Sequence, residues 1–357
     1  MTTARPPVLL LCQPLDALPL PGLNQAIQNL GIPAFLLRVS TDSSNDTSAD
    51  DNDYALTLDL QDWDCATLQH AVAQLSDHYQ IAGIIPPYGH SLHCRAVAQA
   101  VSHLAEEFHL PGYGSLAYDL SRNRFLLRCA WRSAALPTPD FALIHSSSQL
   151  QRIAAQLNYP VRLSPLHFAL PHLNIRSLNT RDALAAQTLL TRTLTRWVLT
   201  HGPFASESGV DLRTHQPLHF ELGSDLLLST WHPSISMAFT LVIVNRSIHI
   251  VCARQILTRN QRRNTVRRKD FLVLQQLACS GVTAVGIHTG IVECQVQLTP
   301  AGPQLECIIP HYTDPRLLPV IEETTGRSFA ELWLGLHTQW ADHSSPIVVS
   351  VSSSCLS

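Results

Sequence analysis

Lysine is almost missing from this chain: its 357 residues hold one, Lys269, against 23 arginines. Charged residues make up 14% of the sequence and the formal net charge is −3. That balance gives no reason to expect a nucleic acid or an anionic membrane surface as partner. Long apolar runs are missing too. Met1–Pro7 has no basic region leading into an apolar stretch, and Val8–Cys12 is too short for a signal-peptide core or a membrane span. The nine cysteines stand singly, odd in number and without a C-x-x-C pair, as expected of a reduced cytoplasmic protein. Glycine is absent between Gly114 and Gly202, which removes the residue that most easily lets backbone amides wrap a phosphate.

What is present is a globular composition. Apolar residues are 45% of the chain, and this length buries a core large enough for two or three domains. Val8–Cys12 reads as a strand buried on both faces, Leu23–Leu30 as a helix ending at Gly31, and Ile32–Val39 as a second strand. Trp63–Tyr79 and Ser91–Phe108 read as helices around another buried strand, Ile81–Ile85. This is an open α/β unit. The segment after its first strand, Gln13–Ala17, has no glycine before Gly22, so a dinucleotide fingerprint is excluded. Ser40–Asp53 is a solvated loop by composition.

Farther on, the pattern predicts helices over Leu126–Ala135, Ser148–Leu157 and Thr180–His201, with strands at Phe141–Ile144 and Val161–Leu163. His219–Leu222, Met237–Val244 and Ile248–Ala253 read as antiparallel strands. Phe271–Ser280 reads as a helix, and Val292–Leu298 with Gln304–Ile309 as a hairpin. Ser344–Ser357 is serine-rich and reads as a frayed tail.

A series of short motifs carries a resemblance. In order they are Leu110-Pro111-Gly112, Asn123-Arg124, Leu136-Pro137-Thr138-Pro139-Asp140-Phe141 and Tyr159-Pro160-Val161-Arg162-Leu163-Ser164-Pro165. Gly286-Ile287-His288-Thr289-Gly290 and Leu317–Gly326 follow. Together they resemble the ATP-grasp superfamily, of carboxylate–amine ligase type. The fold this implies is α/β plus α+β: an N-terminal open α/β domain over 1–115, a central lobe over 116–202 and a C-terminal lobe over 203–340. The two lobes would form a cleft, and 341–357 would be a flexible tail. The implied activity is ATP-dependent joining of a carboxylate to an amine through an acyl phosphate, as in amino-acid, peptide or siderophore assembly.

The residues that would perform that chemistry depart from the family pattern. By resemblance, Arg124 stands where the first ATP-holding lysine is found and Ser164 where the second is; Arg124, Arg128 and Ser164 are the candidate ATP contacts. Arginine keeps the charge with a different geometry, whereas a serine hydroxyl brings none. The lid segment Leu166–Asn174 has no glycine and contains Pro171. The three positions that would supply oxygen ligands to Mg²⁺ are Gln295, Cys307 and Ile309, and His311, in place of an arginine, is the candidate catalytic residue. Thiol and alkyl groups do not hold Mg²⁺. Glu293 and Glu306 are the alternative metal ligands, but a one-residue slip turns a side chain to the opposite face of a strand. Only a bulge restores Glu306. Without one, two solvent-facing glutamates are expected.

Arg259–Lys269 is the densest basic run. Arg262, Arg263 and Arg267 are its candidate substrate contacts, with a solvated face as the plainer reading. His215, His219 and Glu221 as a zinc set, and His90, His93 and Cys94 as a metal cluster, lack recognised spacing. The expectation is a degenerate ATP-grasp ligase homologue, impaired in Mg-ATP chemistry, with a protein partner and an accessory or binding role. The alternative is an active ligase using ATP and Mg²⁺ with a small-molecule carboxylate and amine. A homodimer is compatible with either.

Overall fold

The computed structural model describes residues 5–14, 17–39, 54–89, 92–157, 159–167, 174–201, 206–210, 216–221, 223–232, 234–256, 266–310 and 315–338. The first unit comprises β1 (Pro7–Cys12), α1 (Leu23–Leu30), β2 (Ala34–Val39), β3 (Leu56–Leu60), α2 (Cys65–Ser76), β4 (Gln80–Ile85) and α3 (Leu92–Glu107). Its strands form a parallel sheet in the order β3-β2-β1-β4. The alternation along β1 explains its unbroken apolar sequence. Val8, Leu10 and Cys12 pack with Leu68, Val72, Val97 and Leu104 on one face, and Leu9 and Leu11 with Ala26 and Ile27 on the other. Helix α1 stops at Gly31, whose φ of 67° is the left-handed conformation that closes a helix. The expected solvated loop Ser40–Asp53 lies outside the described residues. Strand β3 was not anticipated, because Leu56–Leu60 is short and half exposed.

The chain continues through α4 (Ser115–Arg122), α5 (Arg124–Ser133), β5 (Phe141–Ile144), α6 (Ser147–Leu157), β6 (Val161–Pro165), β7 (Ile175–Ser177) and α7 (Thr180–His201). The strands β8 (Ser206–Val210), β9 (Pro217–Glu221) and β10 (Leu226–Thr230) follow. β8 and β9 pair as a ribbon, but β10 inserts between β5 and β6 in an antiparallel sheet of order β5-β10-β6-β7. Residue 202 is therefore not a break between sheets, since Leu226–Thr230 completes the sheet begun at Phe141. Leu150, Ala154, Leu190 and Leu194 of α6 and α7 cover one face of it, against Val161, Leu163, Leu226 and Leu228. By strand alternation, Arg162 and Ser164 occupy the opposite face.

The remaining elements are β11 (Ile235–Val244), β12 (Ser247–Ile256), α8 (Arg268–Val285), β13 (Gly290–Thr299), β14 (Gly302–Pro310), α9 (Leu318–Thr325) and α10 (Phe329–Leu336). Their sheet is antiparallel, in the order β12-β11-β13-β14. The largest apolar cluster joins it to α4, α5 and α8 through Tyr113, Leu127, Trp131, Phe239, Leu274 and Cys294. Trp131 Nε1 donates to the Gly281 carbonyl at 3.0 Å, satisfying a buried indole. Helix α10 starts with a capping box between Ser328 and Glu331. Its Trp333 shares a cluster with Leu9 and Leu11 of the first sheet and Val242 and Val251 of the third. Beyond α10, Thr338 bridges to Gly83 on β4. No helix among the described residues is long and apolar enough to cross a membrane. The expected tail, Ser344–Ser357, lies outside the described residues.

Candidate functional site

Asn123 sets the geometry at the start of α5. Its side chain accepts hydrogen bonds from the backbone amides of Phe125 and Leu126, at 2.9 and 3.3 Å, while the Arg124 amide donates to the Leu166 carbonyl at 2.8 Å. The helix thus begins capped and tied to the end of β6. From this anchor Arg124 and Arg128, one turn apart on α5, are both buried. Arg124 Nη1 donates to Asn174 Oδ1 at 2.8 Å. Burial lowers both guanidinium pKa values to about 10, so both stay charged at neutral pH.

Strand β14 slips register against β13 between Gln295 and Val296: Cys307 pairs with Gln295, and Leu305 with Val296. Glu306 is the extra residue of this bulge, and it turns into the protein. Arg128 Nη2 lies 3.4 Å from each Glu306 carboxylate oxygen, and Arg162 Nη2 makes a short ion pair with Oε1. Burial alone would raise the Glu306 carboxyl. Arg162, then Arg128 and Arg124, outweigh it and hold the group below its ordinary value. The same environment pushes the neighbouring Cys307 thiol well up, chiefly by burial, so it remains a neutral thiol.

Glu293 is also buried. It accepts from Arg254 Nη2 and from Gln295 Nε2, both at 2.8 Å. The expected pair of solvent-facing glutamates is therefore corrected: Glu293 and Glu306 are 2% and 8% exposed. Arginine partners neutralise what an apolar interior would otherwise reject. The two glutamates have different arginine partners, Glu306 with Arg128 and Arg162 and Glu293 with Arg254.

Gln295 and Cys307 stand opposite one another across β13 and β14, as do Glu293 and Ile309. An amide, a thiol and an alkyl group thus line the positions that the resemblance assigns to metal ligands. Among the described residues no group of three His, Cys, Asp or Glu side chains could hold a metal ion. This donor set does not fit Mg²⁺, which needs several convergent hard oxygens. Ser164 is fully buried, its Oγ 3.5 Å from the Leu227 carbonyl, and it offers no cation.

Arg267 is at the surface, at the N-cap of α8. Its Nε donates to Asp270 Oδ2 at 2.7 Å, and 71% of its side chain is exposed. Arg262, Arg263 and His311 lie outside the described residues, as do His215 and His90. His219 and Glu221 form an exposed pair at 3.0 Å, and Cys94 is buried in the core.

Two residues of this region were not singled out from the sequence, Arg162 and Arg254. Arg162 had an available signal: it sits two residues before Ser164, on the same face of a short strand whose other face is apolar. Arg254 had none, because its role depends on a partner on another strand.

No family model matches the chain. Over 64 residues it is 34% identical to a D-alanine–D-alanine ligase of Ralstonia nicotianae, a stretch that makes up 17% of this chain and 19% of that enzyme. The chain therefore spans only about a fifth of that curated relative. Over nearly its whole length it is similar to the L-amino acid ligase from Bacillus licheniformis, with a TM-score of 0.64 at 15% identity, covering 93% of this chain and 74% of that one. It is also similar to a biotin carboxylase from Campylobacter jejuni in complex with β-γ-ATP, with a TM-score of 0.63 at 12% identity, covering 92% and 70%. The expected fold is borne out: the chain has the ATP-grasp fold.

Proposed function

We propose that this ATP-grasp chain is a degenerate carboxylate–amine ligase homologue, impaired in Mg-ATP chemistry, that acts as an accessory or binding component in the cytoplasm. The observation that carries this reading is the pairing of its two candidate metal carboxylates: Glu306 with Arg128 and Arg162, and Glu293 with Arg254. A carboxylate already paired with one or two guanidiniums attracts a divalent cation less, because the nearby positive charge opposes it. The row of Gln295, Cys307 and Ile309 and the uncharged Ser164 support the same reading. Its partner is then a protein, and a homodimer is compatible with it.

One observation favours an active ligase that takes a carboxylate and an amine. The bulge at Glu306 brings a carboxylate inward near Arg124, in the manner a repaired site would need. In that reading Arg124, Arg128 and Ser164 contact ATP, Glu293 and Glu306 hold Mg²⁺, His311 is the catalytic candidate, and Arg262, Arg263 and Arg267 receive substrate.

Calorimetric titration of the full chain with ATP, with and without Mg²⁺, separates the two. The degenerate reading expects no magnesium-dependent binding. Binding that needs Mg²⁺ at micromolar affinity, about −8 kcal/mol, overturns it in favour of the ligase.

A further inference from the structure

We propose that the first α/β unit carries a binding pocket, at the carboxyl ends of β1 and β4, for an uncharged small molecule with an apolar body and one neutral polar end. The inference goes beyond the degenerate-ligase reading and uses none of the residues that carry it.

In the order β3-β2-β1-β4, the sheet changes its direction of growth between β1 and β4. The helices that follow these two strands lie on opposite faces. Ala26 and Ile27 of α1 pack with Leu9 and Leu11, whereas Val97 and Leu104 of α3 pack with Val8 and Leu10. Connections that leave a parallel sheet on opposite sides open a crevice beyond the strand ends, where such sheets take ligands. A pocket occupies that place here. It encloses about 390 Å³ of free space, part of it open to solvent, within the size range of small-molecule sites.

The walls decide what the pocket takes. Leu11 and Ile85 end the two strands, Leu18 and Leu23 come from the connection into α1, and Tyr88 and Trp333 close it with rings set edge to face, 6.0 Å apart. Among the described residues no charged side chain lines it. Cys12 adds no charge either, because burial pushes its thiol up to about 12. Donors around the rim are already engaged. The Leu18 amide donates to the Tyr88 carbonyl at 2.8 Å, the Gln13 amide to the Leu37 carbonyl at 3.1 Å, and Trp333 Nε1 to the Pro86 carbonyl at 3.4 Å. Pro86 and Pro87 have no N–H to offer. An ion entering here meets no counter-charge on the described walls, and its desolvation goes uncompensated. An apolar body is favoured instead, and the exposed Gln13 supplies an amide that can donate to or accept from one neutral group. Trp333 also packs with Val242 and Val251 of the third sheet, so an occupant touches the residue that ties α10 to both sheets.

The test is titration of the full chain, without nucleotide or metal, with benzyl alcohol, benzoate and benzylamine, three probes that share one apolar body and differ in the charge of its end. Tryptophan fluorescence and the melting temperature follow the binding. Benzyl alcohol is expected to saturate at about millimolar affinity, to change the emission and to raise the melting temperature, with benzoate and benzylamine about tenfold weaker or worse. Ala17→Phe, at a half-buried position of the pocket wall, fills the space and should weaken benzyl alcohol about tenfold or more. Leu18→Asp places a carboxylate in the wall and should reverse the preference toward benzylamine; if Ala17→Phe does not fold, this variant decides. No saturable binding of benzyl alcohol, equal binding of all three probes, or unchanged binding by both variants overturns the proposal. Magnesium-dependent ATP binding would refute the degenerate reading and leave these titrations untouched, so the two failures are distinguishable.

Discussion

Glu306 is the one residue of β14 that the register slip leaves without a cross-strand partner, and Arg128 reaches it from α5 across 178 positions of sequence, 3.4 Å from both carboxylate oxygens. The bulge and the buried arginine explain each other. A regular strand would place Glu306 on the face opposite Cys307, and without Glu306 Arg128 would be a buried cation with no counter-charge.

Glu306→Leu is accordingly expected to destabilise the protein by about 3–5 kcal/mol, the cost typical of breaking a buried ion pair from one side. The double variant Arg128→Met with Glu306→Leu should lose less than the sum of the two single changes, because the stranded charge is removed with its partner. Urea denaturation of the four proteins measures this. Additive losses would mean that the two residues do not act as a pair.

His337 offers a pH-dependent readout. Its ring is buried beside Trp333, and Nδ1–H donates to the Trp333 carbonyl at 3.0 Å. Burial lowers its pKa from 6.5 to about 4, against a smaller upward pull from that hydrogen bond. The unfolded chain therefore takes up a proton at a higher pH than the folded one. Stability from this group is full above pH 6.5, falls as the pH drops from 6.5 to about 4, and is lost below that. The whole window corresponds to about 3 kcal/mol. His337→Gln should flatten the stability curve between pH 6.5 and 4 relative to wild type. Parallel curves for the two proteins would show that the ring does not titrate in this way.

Gly83 lies where β4 meets the end of the described chain. A Cβ built there would sit 2.2 Å from the His337 carbonyl oxygen and 3.2 Å from the Thr338 Cα. Both are backbone atoms, so relief requires the strand and the segment after α10 to move apart. Gly83→Ala should cost about 1–3 kcal/mol, in the range of overpacked cores. It should also change the fluorescence of Trp333, whose Nε1 donates to the Pro86 carbonyl at 3.4 Å. A fully stable variant with unchanged emission would mean that this contact is not close in solution.

Much of the fold was legible because its signals are local. Alternation and unbroken apolar character give β1 and β4, Gly31 ends α1, and the turn after Thr299 gives the β13–β14 hairpin. The Ser328 and Glu331 capping box that marks α10 is an equally local signal. Strand β10 could not be placed in the same way. Leu226–Thr230 looks like the next strand of a meander, yet it pairs with strands 60 and more residues earlier. The site was half legible. Chain order and motif spacing pointed to Arg124, Ser164, Gln295, Cys307 and Ile309 as candidates. The burial of Glu306 required a bulge, and the pairing of Arg162 required a carboxylate 144 positions away. Neither partner is encoded near the residue it neutralises.

The resemblance to lysine-bearing ligases suggests a repair, Ser164→Lys, and the environment of Ser164 argues against its success. The hydroxyl is fully buried and shares a strand face with Arg162. A lysine ammonium there would lie beside a guanidinium cluster that already exceeds its carboxylate. Desolvation and like charge both oppose it, and the amine would respond by losing its proton. Ser164→Lys is expected to cost more than about 2 kcal/mol near pH 7, to recover part of that loss as the pH rises and the amine neutralises, and to gain no magnesium-dependent ATP binding. Denaturation at pH 7 and pH 9 with a parallel ATP titration checks all three. A stable variant that binds Mg-ATP would instead mean that the missing lysine alone disables this cleft, and that Arg128 and Arg162 leave Glu306 free to serve a metal.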